Sequence, residues 1–188
     1  MVSDEELMSR YQRGDRAAFR QLFERYAPRL RRTMLRGLHD REVADDLLQQ
    51  TFLQLHRARA DYRTDASFRP WIYTIALNVK RSYFRRVGRR SEGALAIDPA
   101  SIDGDPDELM AARELRQAVA TLPAAQRQVV ELFWFEGFSF PEIAGVVGST
   151  HGAVKVRAHR AYKSIRATLE RQGVTEPGQL AYLGRLAP

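Results

Sequence analysis

Between Ser139 and Tyr162 the chain reads SFPEIAGVVGSTHGAVKVRAHRAY, and the punctuation of this stretch leaves few ways to fold it. Ser139 followed three residues later by Glu142 is a capping box, in which the two side chains serve backbone groups that a helix N-terminus leaves without partners. Thr150 is a second N-cap, and Gly148 supplies the backbone freedom for a sharp turn between them. Two short helices joined by Gly148-Ser149-Thr150 form a helix-turn-helix.

At about 100° per residue, Val154, Ala158, Ala161 and Ile165 of the second helix fall within an arc of roughly 60°. Lys155, Val156, His159, Arg160 and Lys163 occupy an arc of roughly 140° on the other side. One face is fit to pack and the other is basic. A helix of this kind fits the major groove of B-DNA, where Lys and Arg neutralise phosphates or donate to guanine O6 and N7. The plainer alternative is a solvated basic face on a helix pair that serves only packing.

The formal charge of +7 is unevenly distributed along the 188 residues. Residues 1–90 hold 20 Lys and Arg against 11 Asp and Glu, residues 91–112 hold six acids and no base, and residues 113–188 hold 10 bases and 6 acids. A basic, acidic, basic layout points to a polyanionic partner touched by both ends and avoided by the middle. The chain has no cysteine, which excludes disulfides and thiolate metal sites, and its four histidines lack zinc-type spacing. No metal or other cofactor is expected. No run of 18 apolar residues occurs, and the N-terminal MVSDEELMSRYQRGD lacks the basic-then-apolar order of a leader, so a soluble, cytoplasmic protein without membrane insertion is expected.

Residues 1–90 show helical periodicity with start signals at Asp15, Asp40 and Ser67, and no sustained alternation of period two. The fold class read from this is all-α, as two small helical domains. Phe19, Leu22, Phe23, Tyr26 and Leu30 mark a buried stripe after Asp15, with Pro28 expected to kink or end that helix. In the helix from Asp40 to about Ala58 the buried stripe is supplied by Val43, Ala44, Leu47, Leu48, Thr51 and Leu55. Leu53 is left over, projecting among Asp45, Asp46, Gln49, Gln50 and Arg57. A leucine ringed by hydrogen-bonding groups suits the centre of a small protein interface, although isolated exposed leucines are also common.

The segment FRPWIYTIALNVKRSYFRRVGRR predicts a further helix whose buried side holds Phe68, Trp71, Ile72, Ile75, Ala76, Val79 and Tyr83. Tyr73, Lys80, Arg81 and Phe84 are expected in water on the opposite side, where rings stack on unpaired bases and cations meet phosphates. Residues 91–112, with two prolines and two glycines, read as a linker that prevents a continuous helix until about Pro106. A helix ending near Leu122 and another from Pro123 to Glu136 then lead into the helix-turn-helix.

In their order and spacing, DRAAFRQLFERYAPRL, ADDLLQQTFLQLHRAR, FRPWIYTIALNVKRSYFRR, LPAAQRQVVELFWFEGFSFPEIAGVVGS and HGAVKVRAHRAY resemble bacterial RNA polymerase sigma factors of the extracytoplasmic-function type. The resemblance implies a region 2 domain over residues 1–90, an acidic linker over 91–112, a region 4 domain over 113–174 and a tail over 175–188. It implies that the face bearing Asp45, Asp46, Gln49, Gln50 and Leu53 docks on the clamp coiled coil of core RNA polymerase. Asp61, with the polar loop to Ala66, and Trp71, Tyr73, Asn78, Lys80 and Arg81 would melt and read the promoter's minus-10 element. Lys155, Val156, Arg157, His159, Arg160 and Lys163 would read the minus-35 element. An anti-sigma factor is implied as a further partner.

A helix-turn-helix regulator of duplex DNA would account for the C-terminal block, but would leave Leu53 and the aromatic-basic helix without a use. A nucleic-acid enzyme would need clustered carboxylates or a held nucleophile, whereas the acids here lie in the linker or on the docking face. The chain is therefore read as a non-enzyme.

Overall fold

The computed structural model describes residues 2–38, 40–88 and 114–172. The chain divides into two compact units, and among the described residues the regular structure is helical throughout. The acidic linker, the helix start near Pro106 and the tail over 175–188 lie outside the described residues.

The first unit contains α1 (Asp4–Gln12), α2 (Arg16–Leu35), α3 (Arg41–Arg57), a 3-10 turn (Arg59–Asp61) and α4 (Phe68–Val87). Short polar side chains start the first three helices. Ser3 Oγ accepts from the Glu6 amide at 3.1 Å, Asp15 Oδ1 from Ala17 at 2.9 Å, and Asp40 Oδ1 from Glu42 at 2.8 Å. Ser67 stands at the N-cap of α4 but makes no such bond. The Phe68 amide instead donates to Glu5 Oε1 at 3.0 Å, so a carboxylate of α1 caps α4 and ties the two helices together.

Pro28 neither ends nor breaks α2, which runs on to Leu35. The ring removes one helical hydrogen bond, but Pro28 is exposed and the carbonyl it leaves over can face water, while Tyr26, Leu30 and Met34 keep both sides of it anchored in the core. Leu7, Met8, Leu22, Leu30, Leu47, Leu55, Phe68 and Ile72 are fully buried or nearly so, and α4 packs against all three preceding helices. At about 25 cal/mol per Å² of apolar surface removed from water, this shared core is the main stabilising term of the unit.

The packing corrects three expectations for α4. Tyr73 is fully buried, among the largest side chains in the core, and is not in water. Lys80 is half-buried, and its ammonium donates to the carbonyls of Thr33 at 2.7 Å and Arg36 at 2.5 Å. Those groups belong to the C-terminal end of α2, whose last carbonyls have no helical partners and favour a cation. Phe84, also expected in water, is half-buried beside Tyr83, with ring centroids 5.6 Å apart.

The second unit contains α5 (114–120), α6 (Ala124–Val130), a wider π-type turn (Glu131–Phe135), α7 (Phe140–Val147) and α8 (His151–Arg171). The helix expected from Pro123 to Glu136 is thus α-helical only to Val130. The Glu136 amide then donates to the Glu131 carbonyl at 3.3 Å, and the segment closes with Gly137 at a φ of +67°. Ala118, Val119, Leu122 and Val130 pack with Ala161, Ile165 and Leu169 of α8 in one apolar cluster.

Lys80→Ala tests the inward role of that side chain. Loss of two charge-assisted bonds should lower the unfolding free energy by roughly 1–3 kcal/mol, visible as a reduced melting temperature. An unchanged melt would show that the ammonium does not hold α2.

Candidate nucleic-acid interface and docking face

The turn between α7 and α8 is built as its sequence requires. The Ser139 amide and hydroxyl both donate to Glu142 Oε2, at 2.8 and 2.6 Å, and Gly148 adopts a left-handed conformation with φ +65° and ψ +48°. The Ala144 carbonyl accepts from the Ser149 amide at 2.9 Å, and Thr150 Oγ1 accepts from the Ala153 amide at 3.2 Å. Val154, Ala158, Ala161 and Ile165 are buried. Lys155, Val156, His159, Arg160 and Lys163 are exposed, and Arg157 is half-buried at the edge of that face.

The first acid in α8 is Glu170, near its C-terminus, where it pairs with Arg166 at 2.8 Å. No carboxylate of α8 therefore competes for Lys155, Arg160 or Lys163. The positive end of the helix adds to their field, and the combination favours phosphate and guanine acceptors.

On α4 the outward residues are Trp71, Thr74, Asn78, Arg81 and Arg85, which follow one another at helical spacings of three and four. Asn78, Arg81 and Arg85 are exposed, while Trp71 and Thr74 are half-buried. Arg81 Nη1 donates to Asn78 Oδ1 at 3.0 Å, and Arg85 Nη2 donates to Ser82 Oγ at 3.3 Å. Both partners are neutral, so neither guanidinium loses its charge to a carboxylate through these bonds. Trp71, whose periodicity put it on the buried side, thus shares the stripe with Asn78 and Arg81, whereas Tyr73 and Lys80 belong to the opposite, packed side. Thr74 and Arg85 join the stripe without having been expected there, because the signal that finds them is the register of the helix and not the pairing of aromatic with basic neighbours.

At the N-terminal end of the stripe, the Trp71 ring lies 4.9 Å from Tyr62 and 6.0 Å from Phe68. Tyr62 is buried, and its hydroxyl donates to the Ala66 carbonyl, closing the loop that leads into α4. Burial, with Glu5, Asp4 and Asp65 nearby, pushes its phenol up to about 12. The loop is therefore held by a neutral tyrosine throughout the physiological range. Asp61 is exposed at its start, and Arg63 pairs with Asp65 at 2.7 Å in solvent.

The α3 face places Asp46, Gln49, Gln50 and Leu53 outward, with Leu53 46% exposed. Asp45 is also exposed but engaged by Arg31 of α2, at 2.5 and 3.0 Å. The Arg31 hydrogen bond holds the Asp45 carboxyl below the usual carboxylate range. Beside this face lies a groove of about 620 Å³ lined by Tyr11, Phe19, Phe52, Leu53 and the Asp46 and Gln49 side chains. Phe23, expected in the core, is 41% exposed, and its ring stands 4.7 Å from Phe52. Exposed apolar surface rimmed by amides and carboxylates has the composition of a protein interface.

Both units have counterparts among known proteins. Residues 22–90 match Sigma-70 region 2, and residues 112–165 match Sigma-70, region 4. The RNA polymerase sigma factor CarQ of Myxococcus xanthus is 37% identical over 165 residues, covering 86% of this chain and 95% of that protein. The ECF RNA polymerase sigma-E factor of Escherichia coli K12 is 32% identical over 178 residues, covering 87% and 93%. Among solved structures, CnrH in complex with the cytosolic domain of CnrY matches with a TM-score of 0.70 and 27% identity, over 90% of this chain and 99% of that one. The sigma factor RpoE in complex with the anti-sigma factor NepR, from Bartonella quintana, matches with a TM-score of 0.67 and 27% identity, over 81% and 96%.

The two helical units thus carry the two regions that define a promoter-directing subunit of RNA polymerase. The chain belongs to the sigma-70 family, in its extracytoplasmic-function group, and acts in transcription initiation with core RNA polymerase and promoter DNA. Among the described residues no helix is long and apolar enough to cross a membrane.

Leu53→Asp should leave the thermal melt of the free protein within about 0.5 kcal/mol of wild type, since the side chain is on the surface. Core polymerase binding should weaken by about 2 kcal/mol or more, because the substitution puts a charge in a desolvated interface. Unchanged retention on immobilised core polymerase would remove Leu53 from the docking face.

Proposed function

We propose that the basic face of α8 reads the minus-35 element as duplex, with Lys155, Val156, His159, Arg160 and Lys163 in the major groove and Arg157 at its edge. The observation that carries this reading is the opposition of faces on one helix. Val154, Ala158, Ala161 and Ile165 fix which side is packed, and every cation from Lys155 to Lys163 falls outside it. The α4 stripe of Trp71, Asn78 and Arg81, with Thr74 and Arg85 added, faces the minus-10 element as it opens, and the loop from Asp61 to Ala66 flanks it. Tyr73 and Lys80 act from behind, by holding α4 against α2.

In this reading residues 1–90 form the region 2 domain, 91–112 an acidic tether repelled by phosphates, and 113–174 the region 4 domain. The face of Asp46, Gln49, Gln50 and Leu53, with the adjoining exposed Phe23 ring, docks on core polymerase, while Asp45 orders α2 against α3 through Arg31. The protein redirects a catalyst and performs no chemistry itself, working in the cytoplasm where that catalyst is. The solved relatives RpoE and CnrH are each held by a protein partner, NepR and the cytosolic domain of CnrY. That precedent supports an anti-sigma factor for this chain as well.

Arg160→Ala should cost about 1–3 kcal/mol at a promoter where it contacts a guanine, with the loss confined to one base position. Lys155→Ala should weaken binding more evenly across sequences, as expected for a phosphate contact. Binding of the polymerase holoenzyme to a set of minus-35 variants separates the two effects. Wild-type promoter binding by the double variant would mean that α8 presents a different face.

A further inference from the structure

The groove beside the α3 face does not end at Leu53. Three residues of its wall, Tyr11, Phe19 and His56, also line a second groove of about 580 Å³, bordered by the start of α2 and the 3-10 turn. The Tyr11 and Phe19 rings stand 4.9 Å apart, Phe19 meets Phe52 edge-on at 6.1 Å, and the Tyr11 hydroxyl is hydrogen-bonded to His56 Nδ1. The shared wall is thus held by α1, α2 and α3 together.

The two grooves differ in charge. The first is lined by Asp46, Gln49 and Gln50, whereas the second is lined by Phe23, Arg16, Arg20 and Arg59, with no carboxylate among its described residues. At about 100° per residue, Phe19, Phe23, Arg16 and Arg20 follow one another around α2 within an arc of roughly 100°. Glu24, the single acid of that helix, lies about 40° beyond Arg20 and does not line the groove. Asp15, at the N-cap, is occupied by Arg10 at 2.7 Å and by the amides of Ala17 and Ala18. Arg16 and Arg20 are exposed, and among the described residues neither is in an ion pair. Arg59 Nη1 donates to the His56 carbonyl at 2.7 Å, which fixes its guanidinium at the end of α3.

We propose that this basic half extends the docking face and takes an acidic, apolar-sided segment of core RNA polymerase. It rests on the reading of the α3 face as the docking site. Asp46 and His56 are separated by ten positions on α3, about 15 Å at 1.5 Å per residue. A segment lying along α3 would present amide or cationic donors to Asp46 and Gln49, apolar side chains to Leu53, Phe19 and Phe23, and carboxylates to Arg16, Arg20 and Arg59. Opposite charges at the two ends fix the direction in which that segment lies, because reversing it brings like charges together at both ends. Nucleic acid suits the arginines but not the whole surface, since a phosphate backbone continuing past the shared wall would meet Asp46.

The test measures the affinity of the full chain for core polymerase, without DNA, across a salt series. Arg16→Glu with Arg20→Glu should weaken binding about tenfold at low salt, because two attractive pairs become repulsive, and the deficit should shrink as salt screens them. Arg16→Lys with Arg20→Lys should stay within about twofold of wild type, since the charge is kept. Unchanged affinity in the Glu variant, with Leu53→Asp still damaging, overturns the basic half alone. Unchanged affinity in both variants overturns the docking reading beneath it. A loss of equal size at every salt concentration would contradict charge pairing and overturn the proposal. So would weaker binding of the free Glu variant to a single-stranded oligonucleotide with core affinity intact, which would make the groove a nucleic-acid surface.

Discussion

A helix that buries one side of itself in a core has only the remainder to offer a partner, and this constraint decides what both units of the molecule can touch. In α8 the packing residues occupy a narrow arc, leaving an arc of roughly 140° on the other side to Lys155, Val156, His159, Arg160 and Lys163. In α4 the packed side is wider. Phe68, Ile72, Tyr73, Ala76, Leu77 and Val79 are all buried, Lys80 extends that side to the end of α2, and only a stripe remains outside. On the proposed reading, promoter contact is specified by core packing, since a shift of the buried arc by one residue would present a different set of side chains.

This difference explains what was legible in the sequence. The capping box, the glycine turn and the two faces of α8 are local signals, each carried by residues within four positions of one another, and the structure realises them with the expected bonds. The faces of α4 depend on neighbours remote in sequence. Tyr73 and Lys80 combine an apolar body with a polar end, so they read as surface residues although the tyrosine is fully buried and the lysine finds carbonyls 44 and 47 residues away. Glu5 capping α4 in place of Ser67 is a similar case.

Phe23 shows the same limit from the other direction. It lies only about 20° around α2 from Leu30, which is fully buried, so helical angle cannot separate the two. Which neighbours reach each level of α2 is a property of the assembled unit. Leu53 was legible because the rest of α3 already supplied a complete buried stripe, and what it could not reveal was that an exposed Phe23 packs against the buried Phe52 ring of the same helix. The proposed docking face consequently takes in Phe23 of α2 as well as the leucine.

The packing constraint leads directly to a measurement. A photo-crosslinking amino acid placed singly at Asn78, Val156 or Tyr73 in the holoenzyme reports which side chains meet promoter DNA. Position 156 should capture the minus-35 duplex and position 78 the minus-10 strand, whereas position 73, facing the core, should capture no DNA. Crosslinks to DNA from position 73, or to polymerase alone from positions 78 and 156, would contradict the assignment of the two helical faces.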